Sequence, residues 1–137
     1  MSFKPDHLPT VIPYLYVRDA QKAMDFYKKA FGFEIMNTSQ DESGEVAHVE
    51  MKRGDAVIMF AGEGKFGSTN KAPITLGVKA SICIYVYCED VDALYKQAIQ
   101  NGAISIMEPN DTFWGDRMCQ ISDPDGHEWS FGTHLNK

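Results

Sequence analysis

The strongest constraint on this chain is a repeat. Residues 16–33, YVRDAQKAMDFYKKAFGF, face residues 86–103, VYCEDVDALYKQAIQNGA, with Ala23 over Ala93, Met24 over Leu94 and Gly32 over Gly102. Each stretch reads as a strand end, a capping aspartate, an amphipathic helix and a stop. Behind Asp19, the residues Ala20, Ala23, Met24, Tyr27, Ala30 and Phe31 share one helical face. Behind Asp90, Val91, Leu94, Tyr95 and Ala98 do the same, and Asn101-Gly102 ends the helix.

Strands flank both helices in the same order. Residues 11–17 (VIPYLYV), 33–37, 45–52 (EVAHVEMK) and 56–61 (AVIMFA) read as strands, with a hairpin turn at Arg53-Gly54-Asp55. In the second half residues 82–88, 103–107, 117–122 and 127–131 do so, with a turn at Asp123-Pro124-Asp125-Gly126. Strand–helix–strand–strand–strand therefore occurs twice, about 70 residues apart. The expected fold class is α+β: two βαβββ modules, 10–62 and 80–134, in one 137-residue domain. One module has too small a core to stand alone, so the two should pack side by side. Residues 62–80 and 108–115 lack periodicity. Long irregular segments in a compact domain are often functional, and a mobile linker is the alternative for 62–72.

The net charge of −6 and pI of about 5.1 argue against nucleic acid as a partner and leave room for a neutral or cationic ligand. No run approaches the roughly 18 apolar residues of a membrane span. The opening MSFKPDHLPT has no apolar segment of the secretory kind. Cys83, Cys88 and Cys119 are odd in number and follow no C-x-x-C or zinc spacing. A reduced, cytoplasmic protein is expected.

Strand alternation divides the side chains. Pro13, Leu15, Val17, Ala47, Val49, Met51, Ile58, Phe60, Ile82, Ile84, Val86, Cys119, Ile121, Trp129 and Phe131 should lie under the helices. The opposite face receives Ile12, Tyr14, Tyr16, His48, Glu50, Val57, Met59, Ala61, Cys83, Tyr85, Tyr87, Met118, Gln120, Glu128 and Ser130. A half-apolar face with a few polar groups suits a small-molecule pocket, and a subunit interface is the competing use.

At this point the chain resembles the vicinal oxygen chelate superfamily, which includes glyoxalase I, extradiol dioxygenases and bleomycin-resistance proteins. The phrases AHVEMKRGDAVIMFA and FWGDRMCQISDPDGHEWSFGTH, with the two helical stretches, are similar to its PhnB-like and bleomycin-resistance-like branches. The resemblance covers about residues 10–134. It implies a curved mixed sheet whose two modules close around one cleft, a small-molecule ligand or substrate, and a homodimer. It also implies four metal ligands on the first and last strand of each module. Those positions here carry Ile12, Met59, Cys83 and Ser130, a set that cannot hold a divalent ion. No metal or other cofactor is expected at them. The resemblance places Trp114 beside the ligand groove, and plugging the interface between the modules is the alternative.

Two roles follow. As a binding protein the chain would use Tyr14, Tyr16, Met59, Cys83, Tyr85, Trp114, Gln120, Glu128 and Ser130 as ligand contacts. As an enzyme of lyase, isomerase or dioxygenase type it would use His48 as general base, oriented by Glu50 or assisted by a non-standard metal held by His48, Glu50 and Glu128. Arg117, Asp116, His127 and His134 read as structural.

Overall fold

The computed structural model describes residues 2–135. The first half runs β1 (Tyr14–Val17), α1 (Ala20–Phe31), β2 (Glu34–Gln40), β3 (Val46–Arg53) and β4 (Ala56–Gly62). The second half runs β5 (Cys83–Tyr87), then a helix at Val91–Gln100, β6 (Ile104–Asp111), β7 (Asp116–Ser122) and β8 (Glu128–His134). A 3-10 turn at Lys65–Gly67 and a one-turn helix, α2 (Pro73–Leu76), lie between the halves, so the Val91–Gln100 helix is α3. The architecture is α+β. As the two-module reading expects, each half forms its own four-stranded mixed sheet, ordered β1-β4-β3-β2 and β5-β8-β7-β6. Strands β1 and β5 each form an edge and pair in parallel with β4 and β8 respectively.

The helices begin where side-chain caps start them. Asp19 accepts from the Lys22 N–H and Asp90 from the Ala93 N–H, both at 3.1 Å. These caps correct the repeat register. The buried positions Ala20, Ala23 and Tyr27 correspond to Val91, Leu94 and Ala98, an offset of 71 (91 minus 20), so Ala93 is exposed and is not the partner of Ala23. α3 is shorter, at 10 residues against 12, so the helix ends lie 69 apart (100 minus 31), and Asn101, standing before Gly102, brings the offset from Gly32 to 70.

A single apolar cluster joins both halves. It takes Leu15, Val17, Val49, Met51, Ile58 and Phe60 from one sheet, Val86, Cys119, Ile121, Trp129 and Phe131 from the other, and the inner faces of both helices. Phe31 of the first half packs on Trp129 and Phe131 of the second, with ring centroids 5.0 and 4.8 Å away. Two residues depart from the expected core set: Ile82 lies before β5 and is exposed, and Pro13, before β1, is half-buried and outside the apolar cluster. Val57 and Ala61, expected on the opposite face, are nevertheless buried.

Reciprocal clasps lock the halves. Arg18, after β1, donates to Asp125 at 3.0 Å in the β7–β8 turn. Glu89, after β5, accepts from Arg53 at 3.3 Å at the β3–β4 turn, with the charges exchanged. Deeper in, Asp123 accepts from the Tyr27 hydroxyl at 2.6 Å, the Trp129 indole at 3.0 Å and the Asp125 and His127 N–H groups. The irregular segments are shorter than expected. β6 continues through Glu108–Asp111, because Pro109, which lacks an N–H, sits on an edge strand with an irregular register. In the connecting segment the buried Ala72 donates its N–H to Glu63 at 2.8 Å, and the Ile74 N–H bonds the Asp125 carbonyl at 3.1 Å. Gly126 permits that approach: at φ 87 it adopts the left-handed region, and a Cβ there would meet the Ile74 nitrogen at 3.1 Å.

Candidate functional site

Outward-facing residues of the two sheets form three hydrogen-bonded groups. The first belongs to β1 and β3. Tyr14 and Tyr16 leave β1 on the same side, with ring centroids 5.4 Å apart. The Tyr14 hydroxyl lies 2.9 Å from His48 Nδ1, and His48 Nε2 lies 3.1 Å from Glu50 Oε2. A carboxylate only accepts, so Nε2 carries the proton shared with Glu50, and Nδ1 of the neutral ring accepts from Tyr14. Both imidazole nitrogens are thus engaged, and the exposed end of the relay is the Tyr14 phenol. Burial, then the neighbouring Tyr16 and Glu50, raise the Tyr14 pKa and keep the phenol protonated. Glu50 and His48 come together as expected. Met59 lies opposite both Tyr14 and Glu50 across the strands.

The second group is centred on Asp116, which is 1 % exposed. One of its oxygens accepts from the Tyr85 hydroxyl at 2.8 Å, the Tyr87 hydroxyl at 2.7 Å and the Trp114 indole at 2.9 Å. His134 reaches the other oxygen at 3.2 Å. Burial alone would raise this carboxyl's pKa, but the hydrogen bonds from Tyr87, Tyr85, His134 and Trp114 outweigh it and hold it at about 2. Burial and the bond to Asp116 push Tyr85 up to about 12. The three rings are pinned at their polar ends while their faces stay accessible: Trp114 is 49 % and Tyr87 58 % exposed. Asp116 and His134 read as structural from the sequence, and in the fold the pair anchors the aromatic cluster. The alternation that places Gln120 and Met118 outward on β7 places Asp116 there too, one step further along; that was the available signal. Arg117, one residue on, points away and ties α3 to β6 through Asp92 at 2.8 Å and Asp111 at 3.1 Å.

The third group runs along β5, β7 and β8. Ser130 and Cys83 are 3.0 Å apart, the Gln120 amide donates to Cys83 at 3.7 Å and to Glu128 at 3.2 Å, and Lys79 pairs with Glu128 at 2.7 Å. Cys83 is exposed, whereas Cys88 and Cys119 are buried and burial pushes Cys119 up to about 11. His127 bonds the Tyr16 carbonyl at 2.8 Å and holds the two halves together.

The metal set implied by the family does not fit these residues. Ile12 and Met59 offer no hard donor, and the Cys83 and Ser130 side chains bond one another. The non-standard set fails as well: Glu50 bonds His48, while Glu128 is engaged by Lys79 and Gln120 on the other sheet. Among the described residues no three His, Cys, Asp or Glu side chains are placed to hold a metal ion. Apart from the bond between His127 and the Tyr16 carbonyl, no hydrogen bond or ring contact among them joins the first group to the other two. A cavity of about 590 Å³ lies where the starts of β1 and β5 meet the connecting segment. It includes Tyr14, Cys83 and Glu128, but not Tyr16, His48, Glu50, Met59, Tyr85, Trp114, Gln120 or Ser130. No helix among the described residues is long and apolar enough to cross a membrane.

Similar proteins place this arrangement. The chain is 32 % identical over 131 residues to an uncharacterized protein of Mycobacterium bovis, covering 94 % of this chain and 86 % of the relative. Its fold matches TioX from Micromonospora sp. ML1 with a TM-score of 0.74 and 25 % identity, over 93 % of this chain and 99 % of TioX. It also matches a Bacillus cereus PhnB protein, described as a putative 3-demethylubiquinone-9 3-methyltransferase, with a TM-score of 0.66 and 18 % identity, over 91 % and 99 %. Residues 4–131 match the sequence pattern of the Glyoxalase/Bleomycin resistance protein/Dioxygenase superfamily, and the chain belongs to that superfamily.

Proposed function

We propose that this protein binds a small flat or cationic molecule against the Tyr85–Tyr87–Trp114 cluster, without a metal. The supporting observation is the Asp116 carboxylate, which fixes three aromatic rings through one oxygen and places a buried negative charge behind them. Rigid rings with open faces attract a planar or cationic ligand by stacking and cation–π contact, and the fixed anion adds to the attraction. In this reading modules 10–62 and 80–134 act as one unit, and the protein works as a cytoplasmic homodimer. The exposed Phe113, 97 % accessible beside Trp114, and the open tyrosine faces support a second subunit bordering the ligand. Titration with N-methylquinolinium tests the site. Saturable binding that Trp114→Ala weakens at least fivefold is expected, and an unchanged affinity removes the assignment.

A second reading is favoured by the Tyr14–His48–Glu50 relay. In it the chain is an enzyme in which Tyr14, not His48, meets the substrate. The substrate's acidic proton passes to the Tyr14 oxygen as the phenol proton passes to His48 Nδ1, and Glu50 stabilises the imidazolium. Bound 4-nitrophenol should then ionise in the wild type and stay neutral in Tyr14→Phe. Equal spectra in the two proteins would exclude this reading.

A further inference from the structure

The cavity of about 590 Å³ at the junction of the halves has a chemistry unlike that of the tyrosine faces. Its wall is mostly aliphatic, with Val11, Leu76, Val78 and Ile82 among the lining residues. These side chains are exposed, Val11 at 82 % and Ile82 at 75 %, although they sit together in one concavity. Clustered exposed apolar groups mark a surface that something covers. The charged groups on the wall are Lys71, Lys79 and Glu128, with His127 beside them. Glu128 is neutralised by Lys79 at 2.7 Å and by the Gln120 amide at 3.2 Å. Lys71 is exposed and makes no ion pair within 4 Å among the described residues; its charge acts on the nearby Glu63, which does not line the wall. In a chain of net charge −6, this concavity therefore carries a local positive excess.

Its position also fits a ligand site. β1 and β5 each lie at one edge of their sheet, and residues of the connecting segment line the cavity together with the starts of both strands. That segment is pinned at Ala72 and Ile74, so the cavity is preformed. The volume lies within the usual range of small-molecule pockets, roughly 300–1,000 Å³.

We propose that this junction cavity binds an amphipathic monoanion, an aliphatic carboxylate of medium chain length, with the chain among Val11, Leu76, Val78 and Ile82 and the carboxylate at Lys71. The site is separate from the aromatic cluster on Asp116 and does not depend on that reading.

Calorimetric titration of the full chain with hexanoate, octanoate and decanoate, below micelle-forming concentrations, tests it. One site per chain is expected, with affinity rising about three- to fourfold per buried methylene. Lys71→Glu should weaken decanoate at least threefold and Val78→Asp at least tenfold. Trp114→Ala should leave it unchanged, whatever that variant does to N-methylquinolinium. A flat chain-length series, or decyltrimethylammonium binding as tightly as decanoate, overturns the proposal. So does decanoate binding that appears only when dilution separates subunits, since the face would then be a contact between copies.

Discussion

Tyr14 and Tyr16 on β1, and Tyr85 and Tyr87 on β5, are the same feature built twice. Each pair is displaced by 71 residues from the other, and in each the ring centroids are 5.4 Å apart. The strands beside them are equivalent too: Tyr14 lies opposite Met59 as Tyr85 lies opposite Ser130. What differs is the polar group that receives the phenols. In the first half His48, backed by Glu50 on the third strand, receives the Tyr14 phenol alone. In the second half Met118 and Gln120 take those two places in the register, and the phenols turn instead to the buried Asp116 at the strand's start. A duplicated scaffold thus presents one face with a hydrogen-bonded phenol, imidazole and carboxylate and one whose phenols share a single buried carboxylate. The backbone repeat sets where the tyrosines stand, and single outward residues decide what they do.

The turns that close the two hairpins differ in the same way, and the largest predicted effect lies there. The β3–β4 turn has two residues between paired strands, whereas the β7–β8 turn is longer and carries Asp123 into the core. Asp123→Ala would leave the Tyr27 hydroxyl, the Trp129 indole and two backbone N–H groups without their acceptor in a buried site. Each unsatisfied group costs about 1–3 kcal/mol, so a loss of at least about 3 kcal/mol is expected in chemical denaturation. Asp55→Ala, in the other turn, should cost under about 0.5 kcal/mol. Similar losses for both variants would show that the hairpins do not differ in this respect.

A second contrast lies at Gly132 and its equivalent Ala61. A Cβ at Gly132 would stand 2.7 Å from the Tyr85 hydroxyl oxygen. Gly132→Ala must therefore displace the phenol from Asp116, at a cost of roughly 1–3 kcal/mol. Ala61→Gly, in the first half, removes one buried methyl and should cost about 1 kcal/mol with the Tyr14–His48 bond intact. Thermal unfolding together with tyrosine hydroxyl resonances would separate these outcomes. An unmoved Tyr85 in Gly132→Ala would refute the close approach.

The fixed charge makes a pH prediction. Asp116 is held at about 2, below the ordinary carboxylate value of 3.8, so the folded state favours its ionised form. The stabilisation is complete above about pH 4 and is lost as pH falls toward 2. Wild-type stability should therefore decline more steeply than that of Asp116→Asn between pH 4.5 and 2, and parallel curves would contradict the anchoring role.

Much of this was readable before the structure, and the parts that were not share a cause. The capping aspartates, the glycine after α1 and the strand alternation specify local geometry, so the element order and most of the core were legible. The register of the repeat was not, because Ala23 and Ala93 look alike while only the caps show that Leu94 is the buried counterpart. The anchoring role of Asp116 is less legible, because a carboxylate after Trp-Gly reads only as a residue that ties its own loop or pairs with Arg117. Its burial depends on phenols some 30 positions earlier in the chain, and no local pattern encodes that. The relay of Tyr14, His48 and Glu50 was half visible: His48 and Glu50 share a face by alternation, but only the spatial approach of β1 reveals that Tyr14 occupies the remaining imidazole nitrogen.

That last point yields the smallest expected effect and the sharpest distinction between the two faces. Tyr14→Phe removes one partly exposed hydrogen bond and should lower stability by only about 0.5–1.5 kcal/mol. Its signature lies in the His48 ring. In the wild type Nε2 bears the proton toward Glu50 and Nδ1 accepts from the phenol. Nitrogen resonances of His48 should therefore report a single tautomer, and Tyr14→Phe should shift Nδ1 while leaving Nε2 in place. Glu50→Gln should do the reverse, releasing the tautomer preference, since an amide can donate to the ring as well as accept from it. Tyr87→Phe on the other face should change neither nitrogen. A His48 ring indifferent to both Tyr14→Phe and Glu50→Gln would mean that the two tyrosine pairs differ only in their surroundings and not in the chemistry they can perform.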